Sequence, residues 1–194
     1  MCDNHYHLPR SRVFASTACA ALLGLWGSGL AHAAGPLGSG VYLEGGRVVD
    51  SSVHTSMMAV GVRSPETHTF WNGRLSLRWD LYLSQWRTDA VPGGRRHFTQ
   101  VGLVPMFRYR LDRGASPWFV EGGVGLSYLT ASYSNRVKEF GSQWNFSDHL
   151  GVGRNFGAER QHELGLYVKH VSNAGLKLPN PGETFVQLRY SYHF

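Results

Sequence analysis

The sequence predicts an all-β chain, an eight-stranded antiparallel transmembrane β-barrel. Three observations lead there. Apolar residues alternate with polar ones at a period of two over several long segments. Aromatic residues, 13% of the chain, gather near the ends of those segments, where a membrane strand meets the interface. Beyond the N-terminus, no stretch approaches the run of ~20 apolar residues that a spanning helix needs. A chain that crosses lipid without such a helix must close its strands on themselves, because the bilayer core offers no partner to unpaired backbone groups.

The first element is a leader. Arg10 and Arg12 precede an apolar stretch from Val13 to Leu30, and Ala31-His32-Ala33 supplies a small-x-small cleavage pattern. This predicts a signal peptide over residues 1–33 and a barrel domain over 34–194, exported to the outer membrane. The competing reading, a transmembrane anchor, is disfavoured by Ser16, Thr17, Ser28 and the interspersed glycines. Cys19 lies inside the apolar stretch, which does not suit a lipoprotein. Cys2 and Cys19 are both expected to leave with the leader, which excludes disulfides and thiolate chemistry from the mature chain. Cleavage also removes Arg10, Arg12 and Asp3, leaving 17 of the 19 basic and 12 of the 13 acidic side chains, a net charge of +5. That balance suits an anionic lipid surface, and the export signal makes nucleic acid an improbable partner.

Eight strands are expected at about 40–49, 54–63, 73–86, 97–111, 117–131, 144–156, 162–173 and 184–194. In the third, Leu75, Leu77, Trp79, Leu81 and Leu83 share one face, and Arg74, Ser76, Arg78, Asp80, Tyr82 and Ser84 share the other. In the fourth, Val101, Leu103, Phe107, Tyr109 and Leu111 oppose Gln100 and Arg108. Pro105 falls in its middle, where a missing N–H predicts a bulge. In the last, Val186, Leu188, Tyr190, Tyr192 and Phe194 oppose Gln187, Arg189, Ser191 and His193. Its terminal Phe is similar to the C-terminal signal read by outer-membrane assembly machinery. With both termini in the periplasm, the short turns near 64–72, 112–116 and 157–161 fall inside, and the links near 87–96, 132–143 and 174–183 fall outside. An eight-stranded barrel is filled by its own side chains and is too narrow for a pore.

The seventh strand carries the chemistry. His162, Leu164, Leu166, Val168, His170 and Ser172 share a face that must be the lipid face. A polar pair at its extracellular end is costly without a role. Residues two apart on a strand bring an imidazole near a hydroxyl, the base and nucleophile of acyl transfer. On spacing alone, His-x-Ser marks the end of a lipid band more often than a catalytic pair. If the turn near 157–161 is centred on residue 159, antiparallel pairing sets Asp148 opposite His170 on the same face. Glu121 would face the interior with Arg78 and Arg108 as partners, which we read as core ion pairs. The seven histidines of the mature chain show no metal-ligand spacing, so no metal is expected.

The segment His170-Val171-Ser172-Asn173-Ala174-Gly175-Leu176-Lys177, followed by Pro179-Asn180-Pro181-Gly182, resembles the lipid A 3-O-deacylase (PagL) family. Looser resemblance extends to Phe119–Gly125 and Asn145–Asp148 and to the plan of signal peptide plus eight strands. The resemblance implies a cofactor-free hydrolase that removes the 3-hydroxyacyl chain esterified at the 3-position of lipid A. By it, Ser172 attacks, His170 takes the proton, and Asn173 with the Gly175 N–H holds the oxyanion. The family's acid is a Glu at the position of Thr184, and a one-residue slip would bring up Glu183, the expected acid, with Asp148 as rival. Lys177, Arg136 and Lys138, with Arg95 and Arg96, are candidate contacts for lipid A phosphates, though solvated loop charges account for them equally. The expected partner is lipopolysaccharide in the outer leaflet, and a homodimer is a further expectation. The alternatives are a non-catalytic small barrel for adhesion or membrane integrity, and an outer-leaflet phospholipase.

Overall fold

The computed structural model describes residues 39–49 and 53–194. The proposed signal peptide and both cysteines lie outside the described residues. The strands are β1 (Gly40–Val48), β2 (Thr55–Arg63), β3 (His68–Phe70), β4 (Leu75–Thr88), β5 (His97–Arg110), β6 (Trp118–Leu129), β7 (Trp144–Phe156), β8 (His162–Ser172) and β9 (Glu183–His193). Each pairs antiparallel with its neighbours. β1 lies between β2 and β9, and β2 also pairs β4, so eight strands close into a barrel.

β3 departs from the expected turn at 64–72. It folds back on the start of β4, pairing His68 with Leu77 and Phe70 with Leu75. The reversal between them is built from left-handed residues: Trp71, Asn72 and Gly73 all have positive φ.

Burial follows the alternation. In β4, Ser76, Arg78, Asp80, Tyr82 and Ser84 are buried, while Trp79, Leu81 and Leu83 face outward. β9 behaves likewise, with Phe185, Gln187, Arg189 and Ser191 inside. The outer wall is an apolar band of Leu, Val and aromatic side chains, the surface a lipid bilayer requires.

Pro105 causes no bulge. β5 and β6 pair in one register on both sides of it, Leu103 with Leu126 and Phe107 with Gly122. Pairing simply lapses between them. Gly123 and Gly125 of β6 make this tolerable: a Cβ on either would collide with the carbonyl oxygens of Pro105 and Leu103.

The interior has two zones. Toward the short-turn end it is ionic. Arg63 bonds Glu163 at 2.7 Å and Glu121 at 2.8 Å. Arg108 bonds both carboxylates as well, and Arg189 pairs with Glu44 at 2.6 Å and Asp80 at 3.0 Å. The expected Glu121–Arg108 pair therefore forms. Arg78 does not join it: its guanidinium lies 3.8 Å from Glu66. Toward the other end the interior is apolar, packed with Val48, Met57, Trp86, Phe98, Leu129, Tyr133, Phe140, Val171 and Phe185. That plug lies behind the strand ends carrying His170 and Ser172.

Candidate active site

β8 presents alternate residues to the barrel exterior. Leu164, Leu166 and Val168 are exposed, and His170 and Ser172 continue the same row, each half-buried. The β7 register pairs Asp148 with His170, as expected from a turn centred on residue 159. On the other side, β9 pairs Thr184 with His170. The Thr184 hydroxyl lies 2.9 Å from His170 Nδ1. Accepting from an Nδ1–H there would set the tautomer and leave Nε2 free as a base.

Nε2 faces a gap that it shares with Ser172. Gly182 (φ 64°) lines this gap. A Cβ at Gly182 would lie 2.8 Å from His170 Cε1, 3.1 Å from Nε2 and 3.4 Å from Ser172 Cβ. The absent side chain is thus what leaves imidazole and hydroxyl a common space. No hydrogen bond links them directly in this structure, and such bonds often tighten only with substrate in place.

Neither expected carboxylate makes a hydrogen bond or ion pair with the imidazole among the described residues. Glu183 sits one residue before Thr184 and so takes the opposite face of β9. It is buried inside the barrel, accepting from the Tyr133 hydroxyl at 2.9 Å and from Lys138 Nζ at 3.1 Å. The register that would bring it to His170 is not adopted. Asp148 does face outward, but neither a hydrogen bond nor an ion pair joins it to His170 among the described residues.

The expected oxyanion donors are occupied as well. Asn173 to Leu176 form a tight turn closed by Leu176 N–H donating to Asn173 O at 3.1 Å, with positive φ at Ala174 and Gly175. The Asn173 side chain is buried in it. Its Oδ1 accepts from Gly175 N–H at 3.0 Å, and its Nδ2 donates to Lys177 O at 2.7 Å. These two groups lock the turn that ends β8. Asn180, quoted in the motif without a role, reaches back instead: its Oδ1 accepts from Asn173 N–H at 2.9 Å, beside Ser172. Its Nδ2 carries no hydrogen bond among the described residues.

The loop 130–143 braces the site from behind. Gly141 N–H donates to Pro179 O at 2.7 Å, and Lys138 Nζ to Gly182 O at 3.2 Å. Tyr133 gathers Thr55, Asn135 and Glu183 around one hydroxyl. Burial pushes that phenol up to about 12, so it stays protonated and donates. Of the expected phosphate contacts, Lys138 is spent on Glu183, Arg136 bonds Ala90 O at 3.4 Å, and Lys177 is exposed.

The sequence profile of the lipid A 3-O-deacylase (PagL) family matches residues 57–193. The chain belongs to that family. It is 37% identical over 138 residues to the lipid A deacylase PagL of Bordetella bronchiseptica, covering 66% of this chain and 72% of that one. With the lipid A deacylase PagL of Pseudomonas aeruginosa it is 31% identical over 120 residues, 61% of this chain and 65% of that one. The crystal structure of the outer membrane enzyme PagL superimposes with a TM-score of 0.66 at 26% identity, over 79% of this chain and 98% of that one. Within this PagL-family barrel, the site is a row of outward-facing side chains on the wall.

Proposed function

We propose that the protein is an outer-membrane hydrolase that removes the 3-hydroxyacyl chain esterified at the 3-position of lipid A. The observation that carries the reading is the arrangement of His170 and Ser172 on the outer wall of a PagL-family barrel. Thr184 holds the imidazole from Nδ1, and the gap left by Gly182 lies between Nε2 and Ser172. A nucleophile facing lipid acts on an ester that arrives within the leaflet.

In this reading His170 Nε2 takes the Ser172 proton as Oγ adds to the acyl carbonyl. The imidazolium then protonates the departing sugar hydroxyl, leaving an acyl-serine. Water, deprotonated by the same nitrogen, attacks that ester and releases the hydroxy fatty acid and free Ser172. Thr184 orients the ring, and Asp148, across the β7 ladder, supplies negative potential to the imidazolium. Asn180, whose Oδ1 accepts from the Asn173 N–H next to Ser172, offers its Nδ2 as a donor to the oxyanion. The signal peptide over residues 1–33 and an extracellular position for the site belong to the same proposal.

Mass spectrometry of lipid A from cells with the protein, without it, and with Ser172→Ala tests the reading. Loss of one ester-linked hydroxyacyl chain only with the intact protein is expected. Unchanged lipid A would overturn it, and altered phospholipids instead would favour a phospholipase.

A further inference from the structure

The rungs of the barrel connect the site to a row of polar side chains on the outer wall. From Val168 they run through Val186 of β9 to Arg47 of β1, Ser56 of β2, Arg87 of β4 and His97 of β5. Arg47, Ser56, Arg87 and His97 are all exposed and outward-facing, at the edge of a wall made mostly of Leu, Val and aromatic residues. Arg47 and Arg87 carry no side-chain hydrogen bond or ion pair among the described residues. A groove of about 710 Å³ lies at the strand ends here, lined by Arg47, Ser56 and Arg87 of the row, by His54 and Asp89, and by the inward-facing Thr55 and Thr88.

The slant of the rungs sets the height of this row. In the other direction from Val168 they pass through Leu150, Gly122 and Phe107 and reach β4 at Leu77, not at Arg87. The row therefore climbs toward the site end as it runs from β9 to β4. With strands ~4.8 Å apart and tilted by roughly 40°, each strand crossed raises the row by about 3 Å. Arg47 comes out about level with His170 and about 12 Å around the wall; Arg87, two strands further on, stands about 6 Å higher and about 7 Å further round on the same geometry. A phosphorylated sugar whose ester lies at His170 can be met by an extended Arg47 side chain, with Arg87 reaching toward the same phosphate from the far side of Ser56. The two guanidiniums thus sit at and above the level where the ester is cut, which is where the phosphates of an acylated, phosphorylated sugar lie. Guanidinium groups suit phosphate through paired, charge-assisted hydrogen bonds.

We propose that Arg47 and Arg87, with Ser56 between them, form the binding site for a phosphate of the glycolipid substrate. This rests on the lipid A deacylase reading. It moves phosphate recognition away from Arg136 and Lys138, whose side chains the structure commits elsewhere.

The test uses the full-length protein refolded in detergent, with bisphosphorylated and chemically dephosphorylated lipid A as substrates. R47Q/R87Q should raise KM for the phosphorylated substrate about tenfold with kcat unchanged, a loss that removing two charge-assisted contacts permits. On dephosphorylated lipid A, wild type and R47Q/R87Q should have the same KM. R47K/R87K should recover part of the loss. Heat-modifiable gel migration identical to wild type confirms that the barrel has assembled. An unchanged KM on the phosphorylated substrate overturns the proposal, as does an equal loss on both substrates. If the wild type cleaves neither substrate, the deacylase reading itself fails, and a wild-type rate on either keeps the two failures apart.

Discussion

At the scale of the residue, the site hangs on which face of a strand each side chain takes. His170 and Ser172 share the outward face, so Ser172→Ala and His170→Ala should each lower lipid A deacylation by at least ~1000-fold, the double variant being no worse than either single one. Substantial turnover by Ser172→Ala would remove Ser172 as the nucleophile. Thr184 hydrogen-bonds the imidazole and Glu183 does not. Thr184→Val should therefore lower kcat by roughly tenfold or more with KM little changed, as expected for a group that orients a base. Glu183→Gln should leave kcat within about threefold, because its carboxylate meets Tyr133 and Lys138 and not the imidazole. The reverse ranking, read from kcat at saturating substrate, would place the carboxylate at the imidazole. Gly182→Ala sets a Cβ 3.1 Å from Nε2 and is strained at φ 64°, so it should inactivate the enzyme while the barrel still assembles.

At the scale of the element, strands were legible and loops were not. Alternation places every barrel strand within a few residues, because one face meets lipid and the other the packed interior. The same rule placed Asp148 opposite His170. Applied to β9 it also separates Thr184, which shares parity with Val186 and Leu188, from Glu183, which shares it with Gln187 and Arg189. Family resemblance drew attention to Glu183, while the period of two already assigned it to the interior. The roles of Asn173 and Asn180 could not be read this way. They depend on hydrogen bonds within an irregular loop, where no periodicity reports direction. The bulge expected at Pro105 failed for a similar reason: two glycines on the neighbouring strand, Gly123 and Gly125, absorb the defect. The loop 130–143 behaves as a brace. Tyr133→Phe removes the neutral donor to a buried Glu183 carboxylate and should destabilise the site end by about 1–3 kcal/mol. Faster proteolysis within 130–143, with the barrel intact, is the expected readout, and unchanged cleavage would argue against a bracing role.

At the scale of the whole molecule, the barrel is filled rather than hollow. Arg63 and Arg108 bracket Glu121 and Glu163, and Glu163 also meets His193 Nε2 at 2.7 Å. Glu163→Gln leaves two buried guanidiniums short of a counter-charge and should lower stability by roughly 3–5 kcal/mol, read as a lower urea midpoint for the loss of heat-modifiable migration. A midpoint equal to wild type would mean that water or neighbouring carboxylates compensate. Beyond this ionic zone, Trp86, Phe98, Tyr133, Phe140 and Phe185 close the lumen with aromatic rings at 0–2% exposure. Electrically, that plug should make the protein an insulator. In the proposed reaction substrate and fatty acid travel along the leaflet and not through the wall, so many copies should not short-circuit the outer membrane. Reconstituted in a planar bilayer under applied voltage, the protein should give a flat current trace at every copy number.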